Sequence, residues 1–310
     1  MGTRRLLCLS LLLLGLSSIS CQNGSAPDPN DPAPSVNPNP SPSPVPPLSL
    51  RFFTFGDWGT GTQSQFDVAT AVTDYCQSNG CDFGLLLGDN FYPTGVGSTT
   101  DPQWQGKFES IYSGISAPFY VVLGNHDYDG NEQAEVGYSA ISPHWRLPAR
   151  AYSATFPAGS GDPLLEIFVI DSNAFDAAAA TALGNALDAS NADWKILALH
   201  HPIYSNGTHG DDSALINHLL LPVICQKVDA VLSGHDHLFS HLDETADTCP
   251  FQQFVVGTGG KDLYPAASDP RAVFSDSSFG FAALEIGETH LRLEFHHSDG
   301  ALAYAFDLNK

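Results

Sequence analysis

Residues 83–92 read Phe-Gly-Leu-Leu-Leu-Gly-Asp-Asn-Phe-Tyr, an apolar run followed at once by glycine and a carboxylate. Such a run predicts a buried strand, and open α/β sheets bind ligands beyond the carboxyl ends of their strands. Asp89 and Tyr92 therefore leave the same turn together. Because both side chains bind metal ions, this stretch predicts a metal site at the edge of a sheet.

The same order of apolar strand and then acidic, amide or imidazole side chain recurs along the chain. It is found at 52–57 (FFTFGD), 121–126 (VVLGNH), 197–200 (LALH) and 231–237 (VLSGHDH). We expect the five strand ends to converge on one edge and to form a site for more than one metal ion.

The segments between and beyond these strands complete the fold prediction. Apolar residues recur at helical spacing within 65–79, the alanine-rich stretch 174–190 predicts a second helix, and a third near 215–223 is interrupted by Pro222. Alternation over 281–295 predicts a β-hairpin. The sequence therefore predicts an α/β fold, a sandwich of two mixed β-sheets packed face to face and flanked by helices.

The N-terminus has the features of an export signal. Two arginines precede the apolar run 6–16, which is too short to cross a bilayer, so 1–20 is predicted to be a signal peptide. Cleavage before Cys21 would expose a cysteine for lipid attachment, as in bacterial lipoproteins. Ser18 stands where a leucine is expected, so ordinary secretion is the alternative. We expect an exported protein, either a periplasmic or cell-envelope lipoprotein or a secreted one.

The next segment, 21–47, is rich in proline and serine and holds ten of the 22 prolines. It has too few apolar residues to form a core, which predicts a disordered linker. The remainder, 48–310, is long for one domain but shows no second change of composition. We expect it to be a single catalytic domain and the protein to be a monomer.

Charge and cysteine content restrict the partners and the compartment. The formal net charge of −22 argues against nucleic acid as a partner. Beyond Cys21 the chain has four cysteines, and an even number in an exported protein suggests disulfides. Proximity in sequence favours Cys76 with Cys81 and Cys225 with Cys249, although three pairings are open.

The chemistry of the predicted ligands indicates two different metal ions. Asp89 is central among the strand ends, so it is the candidate to bridge them. A Tyr92 phenolate beside Asp57 would be a hard, charged donor that favours a trivalent ion, iron above all. The neutral donors Asn125 and His200 suit a divalent ion instead.

Five motifs in this order resemble the calcineurin-like metallophosphoesterases, and more narrowly the small purple acid phosphatases of the tartrate-resistant type. The motifs are Gly-Asp-Trp-Gly at 56–59, Gly-Asp-Asn-Phe-Tyr at 88–92, Gly-Asn-His-Asp at 124–127, His-x-Pro at 200–202 and Gly-His-Asp-His at 234–237. Many metallophosphoesterases have Asp-x-His in the first motif. Here Gly59 replaces that histidine, which leaves a vacancy that Tyr92 can fill.

The resemblance implies a role for each matching residue. A ferric ion would be bound by Asp57, Asp89, Tyr92 and His237. A divalent ion, Fe(II) or else Zn(II) or Mn(II), would be bound by Asp89, Asn125, His200 and His235. The histidines His126 and His209 would contact phosphate and protonate the leaving alkoxide.

The implied activity is an acid phosphatase acting on small phosphate monoesters. Hydroxide formed from metal-coordinated water would attack phosphorus in line. The alternatives are a phosphodiesterase or nucleotide phosphatase on the same scaffold, and an iron-binding or redox protein. Three neighbouring residues have weaker interpretations: Asp127 and Asp236 either orient imidazoles or cap turns, and His201 is a packing residue.

Overall fold

The strands form two mixed sheets within residues 48–212, 214–243 and 249–310, the part of the chain that the computed structural model describes. The first sheet has the spatial order β14 (Leu302–Asn309), β13 (His290–His297), β12 (Gly280–Ile286), β1 (Leu50–Phe55), β2 (Phe83–Leu87), β3 (Phe119–Val122) and β4 (Trp145–Arg146). The second has the order β11 (Ala272–Asp276), β9 (Phe239–Asp243), β10 (Gln252–Val256), β8 (Ala230–Ser233), β7 (Trp194–Ala198), β6 (Leu165–Val169) and β5 (Tyr152–Phe156).

Helical segments connect the strands. They are α1 (Gln63–Asn79), a π-helical turn (Trp104–Glu109), α2 (Asn125–Tyr128), α3 (Glu132–Tyr138), a 3₁₀ turn (Ser172–Ala174), α4 (Ala177–Ala189) and α5 (Ala214–Ile224). The start of α4 is capped by Asp176, whose carboxylate accepts from the amides of Ala178 and Ala179. The expected interruption by Pro222 is wrong, because α5 continues through it to Ile224.

Parallel pairing brings the ligand-bearing strand ends to common edges. In the first sheet β1, β2, β3 and β4 run parallel in that order, and in the second β6, β7, β8 and β10 do so. Every residue of β2, β6 and β8 is buried, as expected for strands covered on both faces. The expectation of one edge is therefore wrong, since β1 to β3 and β7 to β8 belong to different sheets.

Alternate side chains of strands in the second sheet belong to two separate hydrophobic clusters. Ile196, Ala198 and Leu232 belong to the larger cluster, whereas the intervening Leu197 and Val231 belong to a smaller one with residues of α4 and α5. The period of two thus distributes apolar side chains to both faces of the sheet. Helices α4 and α5 cover the face that points to the smaller cluster.

The remaining sequence predictions divide into three groups. The α/β sandwich, the three helices and the hairpin, whose turn is closed by the Gly287 amide donating to the carbonyl of His290, are present. Both favoured disulfides, Cys76–Cys81 and Cys225–Cys249, are formed. The predicted signal peptide 1–20, the linker 21–47 and lipid attachment at Cys21 lie outside the described residues and stay predictions. None of the helices in the described segments has the length and apolar character needed to cross a bilayer.

Candidate metal centre

Three of the predicted ligands occupy a backbone conformation that side chains rarely adopt. Asp57, Asp89 and His235 have φ values of 59°, 50° and 69°, and each stands two residues after the end of a strand. Left-handed backbone at such residues costs of the order of 1–3 kcal/mol each and is found where function requires it. The three strained turns therefore mark the ends of β1, β2 and β8 as a candidate functional site.

Glycines let the turns approach each other closely. A Cβ atom at Gly124 would lie 2.2 Å from the backbone nitrogen of Asp89 and 2.3 Å from its Oδ1. One at Gly234, directly after β8 of the second sheet, would lie 2.6 Å from Oδ2 of Asp57, which follows β1 of the first. The glycines in the motifs are therefore required by the spacing between the strand ends.

Four ligands form what we call the oxygen-rich group: Asp57, Asp89, Tyr92 and His237. The Tyr92 hydroxyl donates to Asp89 Oδ2 at 2.7 Å and to Asp57 Oδ1 at 3.1 Å. His237 Nε2 lies 3.3 Å from Asp57 Oδ1 and 3.4 Å from the Tyr92 hydroxyl. Two atoms that bind one ion at about 2.1 Å lie roughly 3 to 4 Å apart. The spacing therefore fits four donors around a single cation.

The second set, which we call the histidine group, consists of Asp89, Asn125, His200 and His235. His200 Nε2 is central, 3.3 Å from Asp89 Oδ1, 3.1 Å from Asn125 Oδ1 and 3.3 Å from His235 Nδ1. Asp89 thus turns Oδ2 to the oxygen-rich group and Oδ1 to the histidine group. This is the arrangement of a carboxylate that bridges two metal ions.

The pKa shifts within both groups favour the binding of cations. Burial alone lowers the pKa of His200, but the Asp89 carboxylate outweighs it and raises that pKa to about 10. Burial, followed by the charges of Asp57 and Asp89, raises the pKa of Tyr92. Both groups thus hold protons that cations would displace, so metal binding is coupled to proton release.

Hydrogen bonds at Nδ1 orient two of the imidazoles. His200 Nδ1 lies 2.8 Å from the Leu87 carbonyl oxygen, and His237 Nδ1 lies 2.5 Å from that of Asp262. A ring N–H donated to an oxygen fixes the tautomer and leaves the other nitrogen to bind metal. Leu87 ends β2 of the first sheet, and His200 lies two residues after β7 of the second. This bond therefore also connects the two sheets at their strand ends.

The two histidines predicted to act on substrate each pack against one of the candidate ligands. His126 packs over the Tyr92 ring at 4.5 Å between centroids, with its Nε2 3.9 Å from Asp89 Oδ2 and its Nδ1 2.7 Å from the Pro93 carbonyl oxygen. His209 stacks on His235 at 4.2 Å. All nine predicted site residues are therefore brought together.

Sequence reasoning missed a buried polar network behind Asp89. Asn90 donates through Nδ2 to Asp127 Oδ2 and Glu135 Oε2 and accepts from the indole of Trp58. Asp127 also accepts from the amides of Asn90 and Gly124, so its role is to hold the two turns. Burial and then the charge of Asp127 raise the pKa of Glu135 well above its usual value. Burial and then the charge of Asp89 also raise the pKa of Asp127, to about 7, but the amides of Gly124 and Asn90 lower it, so Glu135 is the more readily protonated of the two.

Other site residues also went unrecognised or undecided in the sequence. The Tyr264 ring stacks on His237 at 4.1 Å, and Lys261 Nζ lies 5.7 Å from the centre of the Tyr92 ring. Asp236 accepts from the backbone amide of His209, which holds that loop. His201, expected to be a packing residue, packs against the His235 ring at 4.3 Å between ring centroids and so lies beside the histidine group.

Comparison with known proteins agrees with this geometry. Residues 50–239 match the family model of the calcineurin-like phosphoesterases, and 252–303 match that described as iron/zinc purple acid phosphatase-like protein C. The chain is a calcineurin-like phosphoesterase of the purple acid phosphatase type. Tartrate-resistant acid phosphatase type 5 of Sus scrofa is 31% identical over 290 residues, covering 81% of this phosphoesterase and 84% of that protein. The resemblance and the assignment as a metal-dependent hydrolase are confirmed.

Solved structures share the sandwich fold. Purple acid phosphatase PPD1 from yellow lupin seeds aligns with a TM-score of 0.67 at 18% identity, covering 85% of this phosphoesterase and 54% of that chain. GAP50, described as the anchor in the inner membrane complex of Plasmodium, aligns with a TM-score of 0.73 at 25% identity. The alignment covers 84% of this phosphoesterase and 89% of that chain. The predicted fold class is confirmed.

Substituting Gly124 should damage the centre through its backbone. We expect Gly124→Ala to lower the free energy of unfolding by about 1–3 kcal/mol and to reduce bound metal, because the new Cβ would overlap Asp89. Thermal unfolding and metal analysis measure both effects. In the matched control Gly106→Ala the Cβ meets nothing within 4 Å, so neither quantity should fall. Normal metal content in Gly124→Ala would contradict the close approach.

Replacing Glu135 by its neutral isostere should change the pH dependence of stability. Above the ordinary glutamate pKa of 4.5 the unfolded chain releases a proton that folded Glu135 retains, so the free energy of unfolding falls as pH rises. Glu135→Gln should match the wild type near pH 4 and exceed it near pH 7, measured by denaturant unfolding of metal-free protein. The exposed Glu288→Gln is the control and should keep the wild-type slope. An unchanged slope in Glu135→Gln would show that Glu135 is ionised in the folded state.

Proposed function

We propose that this protein is an acid phosphatase that hydrolyses phosphate monoesters at a dinuclear Fe(III)–M(II) centre. The observation that supports it is the bridging Asp89, whose two oxygens face two donor groups of different chemistry. The oxygen-rich group contains a phenol and two carboxylates, a donor set for a hard trivalent ion. The histidine group contains neutral nitrogen and amide donors, which suit Fe(II), Zn(II) or Mn(II).

The reaction requires charge neutralisation, an activated water and a proton for the leaving group. The two cations, when bound, would neutralise phosphate charge and acidify water in the acid range. His126 packs against Tyr92 of the oxygen-rich group and His209 against His235 of the histidine group, so each donor group has an imidazole beside it that could meet a bound phosphate. One imidazole holds a phosphate oxygen, and the other donates its proton to the ester oxygen as the P–O bond breaks.

The chain's charge and disulfides support the proposed substrates and compartment. A net charge of −22 disfavours nucleic acid and is compatible with small phosphorylated substrates that cations in the site attract. Two disulfides support export to an oxidising compartment, with Cys21 as a membrane tether or free secretion as the alternative. We propose that the protein acts as a monomer.

The first test is the visible spectrum of the purified, air-oxidised protein. We expect a broad charge-transfer band that is lost in Tyr92→Phe, because the phenolate of Tyr92 would bind ferric iron. Metal analysis on the same samples should give iron and one divalent metal. A metal-loaded but colourless wild type would overturn the ferric assignment and favour a manganese or zinc phosphoesterase.

The second test separates the enzyme classes. Monoester hydrolysis should exceed diester hydrolysis, and His126→Ala and His209→Ala should each lower kcat by about 10²–10⁴-fold with iron and the colour retained. The loss should be smaller for a substrate whose leaving group needs no proton, such as a nitrophenyl ester. Preference for diesters would indicate the phosphodiesterase alternative. A coloured wild type without hydrolysis would indicate the alternative of an iron-binding or redox protein.

A further inference from the structure

A third imidazole adjoins the histidine group. The metal-binding atoms of His200, His201 and His235 lie within 4.8 Å of one another. The His201 ring is 5.0 Å from that of His200 and 4.3 Å from that of His235. Three imidazoles are a recognised ligand set for Zn(II).

The orientation of His201 follows the pattern of the predicted ligands. Its Nδ1 lies 2.8 Å from Ser172 Oγ, and the same hydroxyl lies 3.1 Å from the backbone nitrogen of His201. Ser172 is buried at the start of the 3₁₀ turn after β6, so it is a fixed partner. His200 and His237 also have their Nδ1 atoms engaged, in their case by backbone carbonyl oxygens. Engagement of Nδ1 assigns Nε2 as the nitrogen that His201 offers to a ligand.

We propose that His201 Nε2 is a further ligand of the divalent ion, in addition to His200 and His235. The proposal rests on the dinuclear centre proposed above and deepens it. Affinity for divalent metals at imidazole sites rises from Mn(II) and Fe(II) to Zn(II), and carboxylate sites are the ones that suit Mn(II). An additional imidazole therefore shifts the selectivity of this position towards Zn(II).

The competing explanation is that His201 only packs against His235 and keeps that ring in place. An aromatic ring without nitrogen distinguishes the two roles. In His201→Phe the contact with the His235 ring is kept and the donor is lost, whereas His201→Ala loses both. The control is His209→Ala, which removes an imidazole at a similar distance, 4.2 Å, from the same His235 ring.

The experiment uses full-length protein that carries Fe(III) and is titrated with Zn(II) and with Mn(II) against a chelating indicator. We expect both His201→Ala and His201→Phe to lose about tenfold or more in Zn(II) affinity and less in Mn(II) affinity. Added imidazole should restore Zn(II) binding to His201→Ala. Ser172→Ala should show a smaller loss in the same direction, and His209→Ala should stay within about twofold of the wild type.

Each contrary result has a separate meaning. Wild-type affinity in His201→Phe but not in His201→Ala would show a packing role and overturn the proposal. Unchanged Zn(II) affinity in both, with a higher KM for substrate, would assign His201 to substrate contact and overturn it too. If the wild type itself takes up neither iron nor zinc, the proposed function fails. A ferric, zinc-binding wild type with indistinguishable variants overturns only the inference on His201.

Discussion

The candidate metal centre depends on Asp89, because the two oxygens of this one carboxylate contact two different donor groups. Asp89 Oδ2 lies among the phenol and carboxylate donors, while Oδ1 lies among the neutral donors and also accepts the amide of His126. This orientation requires the left-handed backbone at Asp89 and the absence of a side chain at Gly124. The network of Asn90, Asp127 and Glu135 supplies the hydrogen bonds that hold this unfavourable turn in place.

Most of the candidate ligands could be predicted from the sequence because their signals are local. Asp57, Asp89, His200 and His235 each lie two residues after the end of a strand, and Asn125 lies three residues after one. The division of those strands between two sheets was not predictable in this way, since β10 pairs with β8 and β9 through contacts that no short motif encodes. Strand β4 has only two residues, too few for a period-two pattern to identify it.

The burial of Glu135 and the position of His201 beside the histidine group were not predicted, for different physical reasons. Glu135 lies on α3, where a glutamate is ordinarily an exposed residue, and its burial arises from packing against the distant Asp89 turn. His201 follows His200 directly, and adjacent residues of a strand point to opposite faces. The strand, however, ends at Ala198, so alternation no longer separates the two rings.

His200 combines two tasks that experiments usually treat as separate. One ring nitrogen lies among the metal donors, and the other is bonded to the carbonyl oxygen of Leu87 across the gap between the sheets. Removing this side chain therefore removes a candidate metal ligand and the hydrogen bond to Leu87 at the same time. Inactivity of such a variant is therefore ambiguous by itself, because loss of a metal donor and loss of the bond to Leu87 would have the same effect.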